Sequence, residues 1–138
     1  MIILDTNVLS ALMRQTPDPQ IIAWLDDQPR TAVWTTAVTV LEVRFGLHIW
    51  PAGNRRKLLT QAFETVLERM GQRIAAFDAT AAAYTAELMA ARQRKGRPGE
   101  LRDTMIAGIA LAHRASLATR NIGHFEDIAI PVINPWTA

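Results

Sequence analysis

The chain has 138 residues, 49% of them apolar and 20% charged, with a formal net charge of +2 and no cysteine. That length suits a single domain, residues 1–138, with one sizeable core. The composition excludes disorder, a disulfide framework and a cysteine-ligated zinc, and no apolar run approaches the ~20 residues that span a bilayer. No basic segment followed by a signal-type apolar stretch opens the chain, so the expected location is the cytoplasm, which the lack of cysteine fits.

Ile2–Asp5 is continuous, apolar and isoleucine-rich, and predicts a short buried strand. Asn7 is expected to cap a first helix over Val8–Met13. Val8, Leu9, Leu12 and Met13 offer more apolar surface than so short a helix needs, and predict an interface. Asp18-Pro19 starts the next helix, with Ile21, Ile22 and Leu25 on its apolar face. Thr31–Thr35 is β-branched and aromatic enough for a second strand. Val40–Ile49 predicts a helix, interrupted by Pro51, Gly53 and Asn54. Asn54 opens another, with Leu59, Phe63, Val66, Leu67 and Met70 on one stripe and Gly71 at its C-terminal end. Arg73–Phe77 is a third strand. Asp78 caps an alanine-rich helix that ends near Gly96. Asp103–Arg114 is a further helix, small or apolar at every position from Met105 to Ala112 and therefore buried on most sides. Ser116–Thr119 and Ile130–Ile133 complete a set of five strands.

Strands alternating with helices predict an α/β fold, a parallel sheet with helices on both faces. Ligands of such sheets bind beyond the carboxyl ends of the strands, near the switch in strand order. Asp5 lies at the end of the first strand and Asn121 just past the fourth.

Three carboxylates sit in apolar surroundings: Asp5 after Ile2-Ile3-Leu4, Glu42 within AVTVLEVRFGL, and Asp103 within RDTMIAGIALA. Each has a structural explanation. Asp5 can bond the backbone at the turn into the first helix. Glu42 has capping-box spacing from Thr39, and Asp103 can be an N-cap. Together they point elsewhere, because an unpaired carboxylate in an apolar interior is costly and a shared cation removes that cost. Mg²⁺ and Mn²⁺ prefer such oxygens, and an ion held near basic side chains is an arrangement for phosphodiester hydrolysis. Two basic clusters, Arg92-Arg94-Lys95-Arg97-Arg102 and Arg55-Arg56-Lys57, suit phosphate contacts or solvated helix ends.

At these residues the sequence resembles the PIN-domain nucleases, in particular the VapC/FitB-type toxins of type II toxin–antitoxin pairs. The resemblance rests on MIILDTNVLSAL, TTAVTVLEVRFGL, GRPGELRDTMIAGIALAHRASLATRN and PVINPW, in that order along nearly the whole chain. It implies a PIN-like α/β/α sandwich with a five-stranded parallel sheet. It implies Mg²⁺- or Mn²⁺-dependent cleavage of RNA by Asp5, Glu42 and Asp103, with Asn121 completing the site. It further implies a homodimer, neutralised by a small antitoxin whose tail covers the active site.

Two positions depart from the pattern. Many relatives have aspartate where this chain has Asn121, and others have it three residues on, where this chain has His124. Asn121 can bond a water in the ion's shell, and His124 can ligate Mn²⁺ or contact phosphate when protonated. Glu126 and Asp127 are nearby carboxylates that the resemblance does not place in the site. Thr6 and Thr36 are expected to hydrogen-bond the carboxylates, Thr36 alternatively to start a helix, and Arg120 to touch phosphate or form a surface salt bridge. Two other functions compete with the nuclease. One is a PIN-fold module that binds RNA or antitoxin without efficient cleavage. The other, a small-molecule phosphatase, needs a second carboxylate two residues after the nucleophilic aspartate, where this chain has Asn7.

Overall fold

The computed structural model describes all residues, Met1–Ala138. Five short parallel strands form the sheet: β1 (Ile2–Leu4), β2 (Val33–Thr36), β3 (Ile74–Ala75), β4 (Ser116–Ala118) and β5 (Val132–Ile133). Their order is β3-β2-β1-β4-β5, so the direction of travel reverses between β1 and β4. The register pairs Ile2 with both Val33 and Ser116, and Leu4 with Ala118. This is the α/β/α sandwich with a five-stranded parallel sheet that the sequence led us to expect.

Alternation along β1 divides the core. Ile3 faces a cluster with Leu88, Ile106, Ile109 and Leu117, while Leu4 faces Val8, Leu9, Trp24, Leu47 and Phe63 on the other side. Helices α5 (Ala79–Arg94) and α6 (Leu101–His113) cover the first face. Helices α1 (Thr6–Leu12), α2 (Pro19–Asp26), α3 (Ala37–Ile49) and α4 (Asn54–Met70) supply the second. Helices α5 and α6 meet at Gly108, where an added Cβ would stand 1.8 Å from the Thr85 hydroxyl oxygen.

Several boundaries differ from the sequence reading, and each difference has a cause. Asp5, in extended conformation, caps α1 through Thr6 N–H, so the helix begins at Thr6 and Asn7 is not the cap. Val8, Leu9 and Met13 are buried in the core and Leu12 is half-buried against it, so these four residues do not form an exposed apolar interface. Residues Arg30–Ala32 form a 3-10 turn, which moves β2 toward Thr36. Thr36 accepts a bond from Thr39 N–H and starts α3 three residues before the predicted position. The Thr39–Glu42 capping box therefore does not form. Glu100 caps α6 by accepting from Asp103 N–H, so Asp103 lies in the first turn and is not the cap. Asp18 and Asp78 cap α2 and α5 as expected, and Gly71 ends α4 with a φ of 58° that favours glycine.

Candidate active site

The carboxyl ends of β1, β2 and β4 lie side by side, and the candidate residues follow from there. Asp5 is the residue after β1, and its backbone N–H still bonds Ala118 of β4. The residue is only 3% exposed. One oxygen accepts from Thr6 N–H at 2.8 Å; the other accepts from the Thr119 hydroxyl at 2.7 Å and the Asn7 amide at 3.3 Å. Burial pushes the Asp5 carboxyl above its usual value. The bonds from Thr119 and Thr6 pull it back, and the charges of Asp103 and Glu42 push it up again. Both Glu42 and Asp103 therefore lie within electrostatic reach of Asp5.

Glu42 reaches this site from the second turn of α3. A run of hydroxyls holds it. Thr36 donates to Thr39 at 3.3 Å, Thr39 and Thr6 are 3.1 Å apart, and Thr6 donates to Glu42 Oε1 at 2.8 Å. Because the Thr6 proton is committed to Glu42, Thr39 is the donor to Thr6, and the run ends on the carboxylate. Thr6 thus bonds a carboxylate as expected, whereas Thr36 serves as the start of a helix. The other Glu42 oxygen faces Arg102 Nε at 3.7 Å.

Asp103, on the first turn of α6, is met by His124 Nδ1 at 3.0 Å from its Oδ2. An ionised carboxylate can only accept, so Nδ1 carries the proton. Asn121 is exposed; its backbone N–H bonds Thr119, and its side chain makes no bond to any of the carboxylates. Arg120 stacks on the Trp136 ring at 4.8 Å and forms no salt bridge. Asp127 is paired with Arg92 at 2.8 Å and so is not free to supply the missing charge. That pairing also removes Arg92 from the basic cluster: its side chain is 5% exposed, while Arg94, Lys95 and Arg97 are exposed.

Sequence reasoning missed Asn7 and Thr119. Asn7 links the two halves of the sheet, donating to Asp5 and Thr119 and accepting from Arg120 N–H. Thr119 directly after β4 and Asn7 in the first turn of the helix after β1, both polar residues beside buried strands, were the available signal. It became meaningful only once β1 and β4 were neighbours.

The donor set is all oxygen and suits a hard divalent ion such as Mg²⁺ or Mn²⁺. In the chain alone, no group of three or more His, Cys, Asp or Glu side chains stands close enough to hold an ion directly. Asp5 is within electrostatic reach of Glu42 and Asp103, but the three side chains do not converge to ligand distance. A cleft of about 620 Å³ lined by no hydrophobic residue opens beside Asp103, bounded by Lys95, Arg97 and His124. A larger hollow of about 700 Å³, lined by Leu12, Leu25, Val66 and Met70, contains none of the three carboxylates.

The PIN domain family profile matches residues 2–131. The chain is 40% identical to the VapC ribonuclease Y4jK of Sinorhizobium fredii, over 99% of its own length and 98% of the relative's. It is 34% identical to Toxin FitB of Neisseria gonorrhoeae, over 99% of both. The crystal structure of FitAcB from Neisseria gonorrhoeae superposes with a TM-score of 0.90, covering 100% of each chain at 34% identity. The chain belongs to the PIN-domain family, within its VapC/FitB-type branch.

Proposed function

We propose that the chain is an Mg²⁺- or Mn²⁺-dependent endoribonuclease toxin, the partner of a small antitoxin protein. The observation that carries this is the buried Asp5, its carboxyl raised by burial and by Asp103 and Glu42, at the switch in strand order. Asp5, Glu42 and Asp103 are the residues that would hold the ion, directly or through water. Such an ion, when bound, polarises a phosphoryl oxygen and lowers the pKa of a water. Thr6, Thr119 and Asn7 fix the carboxylates before substrate arrives. Asn121 can present its amide to the ion's shell, and the exposed cations Lys95 and Arg97 border the approach beside Asp103. Lys95 and Arg97 bind phosphate without reading sequence, as phosphate contacts do. Purified protein is expected to cut RNA with Mg²⁺ or Mn²⁺, leaving 5′-phosphate and 3′-hydroxyl ends, and to stop with EDTA. Zinc should not be needed. RNA binding without ion-dependent cleavage would overturn the nuclease reading.

That outcome defines the second reading, a PIN-fold module that binds RNA or antitoxin with weak catalysis. It is favoured by Asn121 and His124, at one or other of which the family resemblance implies an aspartate, and by Asp127 being tied to Arg92.

A homodimer is the expected assembly. Leu41, Phe45 and Ile49 recur at each turn of α3 and are 56%, 55% and 67% exposed, a contiguous apolar face with Trp50 at its end. Phe45→Glu places a charge at its centre and is expected to convert a dimer into a monomer by light scattering. A parent protein that is already monomeric, or a variant that remains dimeric, would reject this face as the interface.

A further inference from the structure

Arg92 is the most buried cation near the site, and it touches neither Asp5 nor Glu42 nor Asp103. Its position follows from the α5 pattern: Ala81, Thr85, Leu88 and Arg92 form that helix's buried stripe. Without partners, a guanidinium there would be prohibitive, and all three of its nitrogens are engaged. Nε and Nη2 donate to the two Asp127 oxygens at 2.8 and 2.9 Å. Nη2 also donates to the His124 carbonyl at 2.8 Å, and Nη1 donates to the Thr104 hydroxyl at 3.0 Å. The following loop closes over it. Arg97 N–H bonds the Arg92 carbonyl at 2.9 Å, and a Cβ on Gly99 would lie 3.1 Å from Nη1.

These partners belong to two segments that must meet for the site to form. Thr104 adjoins Asp103 on the first turn of α6. His124 and Asp127 belong to the 3-10 turn after β4 (Ile122–Phe125) and the residues following it. Between the two segments, outside the guanidinium, lies the 3.0 Å contact of His124 Nδ1 with Asp103 Oδ2.

We infer that Arg92 is a positioning residue for the carboxylate site: by bridging Thr104, the His124 carbonyl and Asp127, it holds the His124 ring against Asp103 and so fixes the direction in which Asp103 presents its free oxygen. A planar fork with fixed donor directions is required, because the three acceptors lie in different directions. Lysine supplies the charge at one point only. The lowered carboxyl of Asp127, caused first by its bond from Arg92, agrees with a pair that stays ionised.

The inference rests on the proposed ion site for its Mn²⁺ arms and on the nuclease reading for its kinetic arm; the His124 resonances test it without either. Arg92→Ala leaves Asp127 unpaired in a partly buried place and risks unfolding. Arg92→Lys, which keeps the charge, and Thr104→Val, which keeps the Asp127 pair, are therefore the informative variants. For folded Arg92→Lys, calorimetry should show Mn²⁺ affinity about 10-fold weaker, the scale of lost outer-shell support. RNA cleavage should lose kcat with little change in KM, and Thr104→Val should show a smaller loss in the same direction. In the ion-free protein, the His124 imidazole resonances should move toward those of a mobile histidine. His124→Ala should weaken Mn²⁺ by a similar factor, and Arg92→Lys combined with it should add little. Four results would overturn the inference: Mn²⁺ affinity within about twofold of the parent despite lower stability; unmoved His124 resonances; no effect of His124→Ala; or fully additive losses. Weakened Mn²⁺ and displaced resonances in a protein that cuts no RNA would uphold the role of Arg92 and reject the nuclease reading.

Discussion

Asp5→Asn is expected to lower RNA cleavage by more than about 100-fold, since outer-shell partners of an ion alone account for 10–100-fold. The same change should leave the ion-free protein at least as stable as the parent. Asparagine serves as an N-cap as well as aspartate does, so the bond from Thr6 N–H survives. What disappears is a buried negative charge facing Asp103 and Glu42, together with the oxygen that accepts from Thr119 and Asn7; removing the charge is expected to outweigh the loss of those bonds. Because burial and those neighbours raise the Asp5 carboxyl, the folded chain holds this proton more tightly than the unfolded one. The stability that the neutral carboxyl contributes is complete below the ordinary aspartate value of 3.8 and is lost as pH rises through the higher folded value. The parent takes on the penalty as pH rises through that value, and the advantage of the variant should shrink as the solution is acidified. Denaturant melts in EDTA and in Mn²⁺ test both halves. An ion at 100 times its Kd stabilises the parent by about 2.7 kcal/mol, and the variant should lose most of that gain. Clear destabilisation in EDTA, with the Mn²⁺ gain intact, would make Asp5 a helix cap alone.

Gly108→Ala is expected to destabilise the fold by about 2 kcal/mol, or about 8 °C in Tm, although alanine is the better helix former by about 1 kcal/mol. Packing decides the sign. The new Cβ would meet the Thr85 hydroxyl oxygen at 1.8 Å and the Ala81 carbonyl oxygen at 2.9 Å. That hydroxyl cannot swing away freely, because it donates to the same Ala81 carbonyl at 2.7 Å. Thr85→Ala should recover part of the loss in the double variant and no more, since the backbone oxygen remains. A thermal melt in which Gly108→Ala alone is neutral or stabilising would mean that α5 and α6 can separate at little cost.

The elements that local chemistry dictates were legible. Asp18-Pro19, Asp78 and Gly71 mark helix ends through side-chain or backbone requirements that tertiary contacts rarely override, and all three hold. Glu100 outcompeting Asp103 as a cap was not legible, because both residues have a suitable carboxylate near the same helix start. The Thr36 cap hid in the same way behind the Thr39–Glu42 spacing. The three carboxylates were singled out by their apolar surroundings and by the family resemblance. Asn7 and Thr119 were not, since their value depends on β1 lying beside β4, and the order of strands in a sheet leaves no local trace. Arg92 was grouped with its exposed basic neighbours, although its spacing from Leu88, Thr85 and Ala81 already placed it on the inner face of α5.

The bond between Asp5 and Thr119 spans 114 residues of chain. A contact of such sequence separation forms late, because the loop it closes must be paid for entropically before the contact returns anything. On the ribosome the consequence is sharper. With synthesis at about 5–20 residues per second, Asp5 and Glu42 emerge seconds before the strand that completes their site. Until β4 is released and pairs with β1, the growing chain lacks the Thr119 hydroxyl, the His124 turn and the neighbour against which Asp5 is buried. The order of strands in the sheet thus acts as a timer, keeping the site unassembled until translation of the domain is nearly finished.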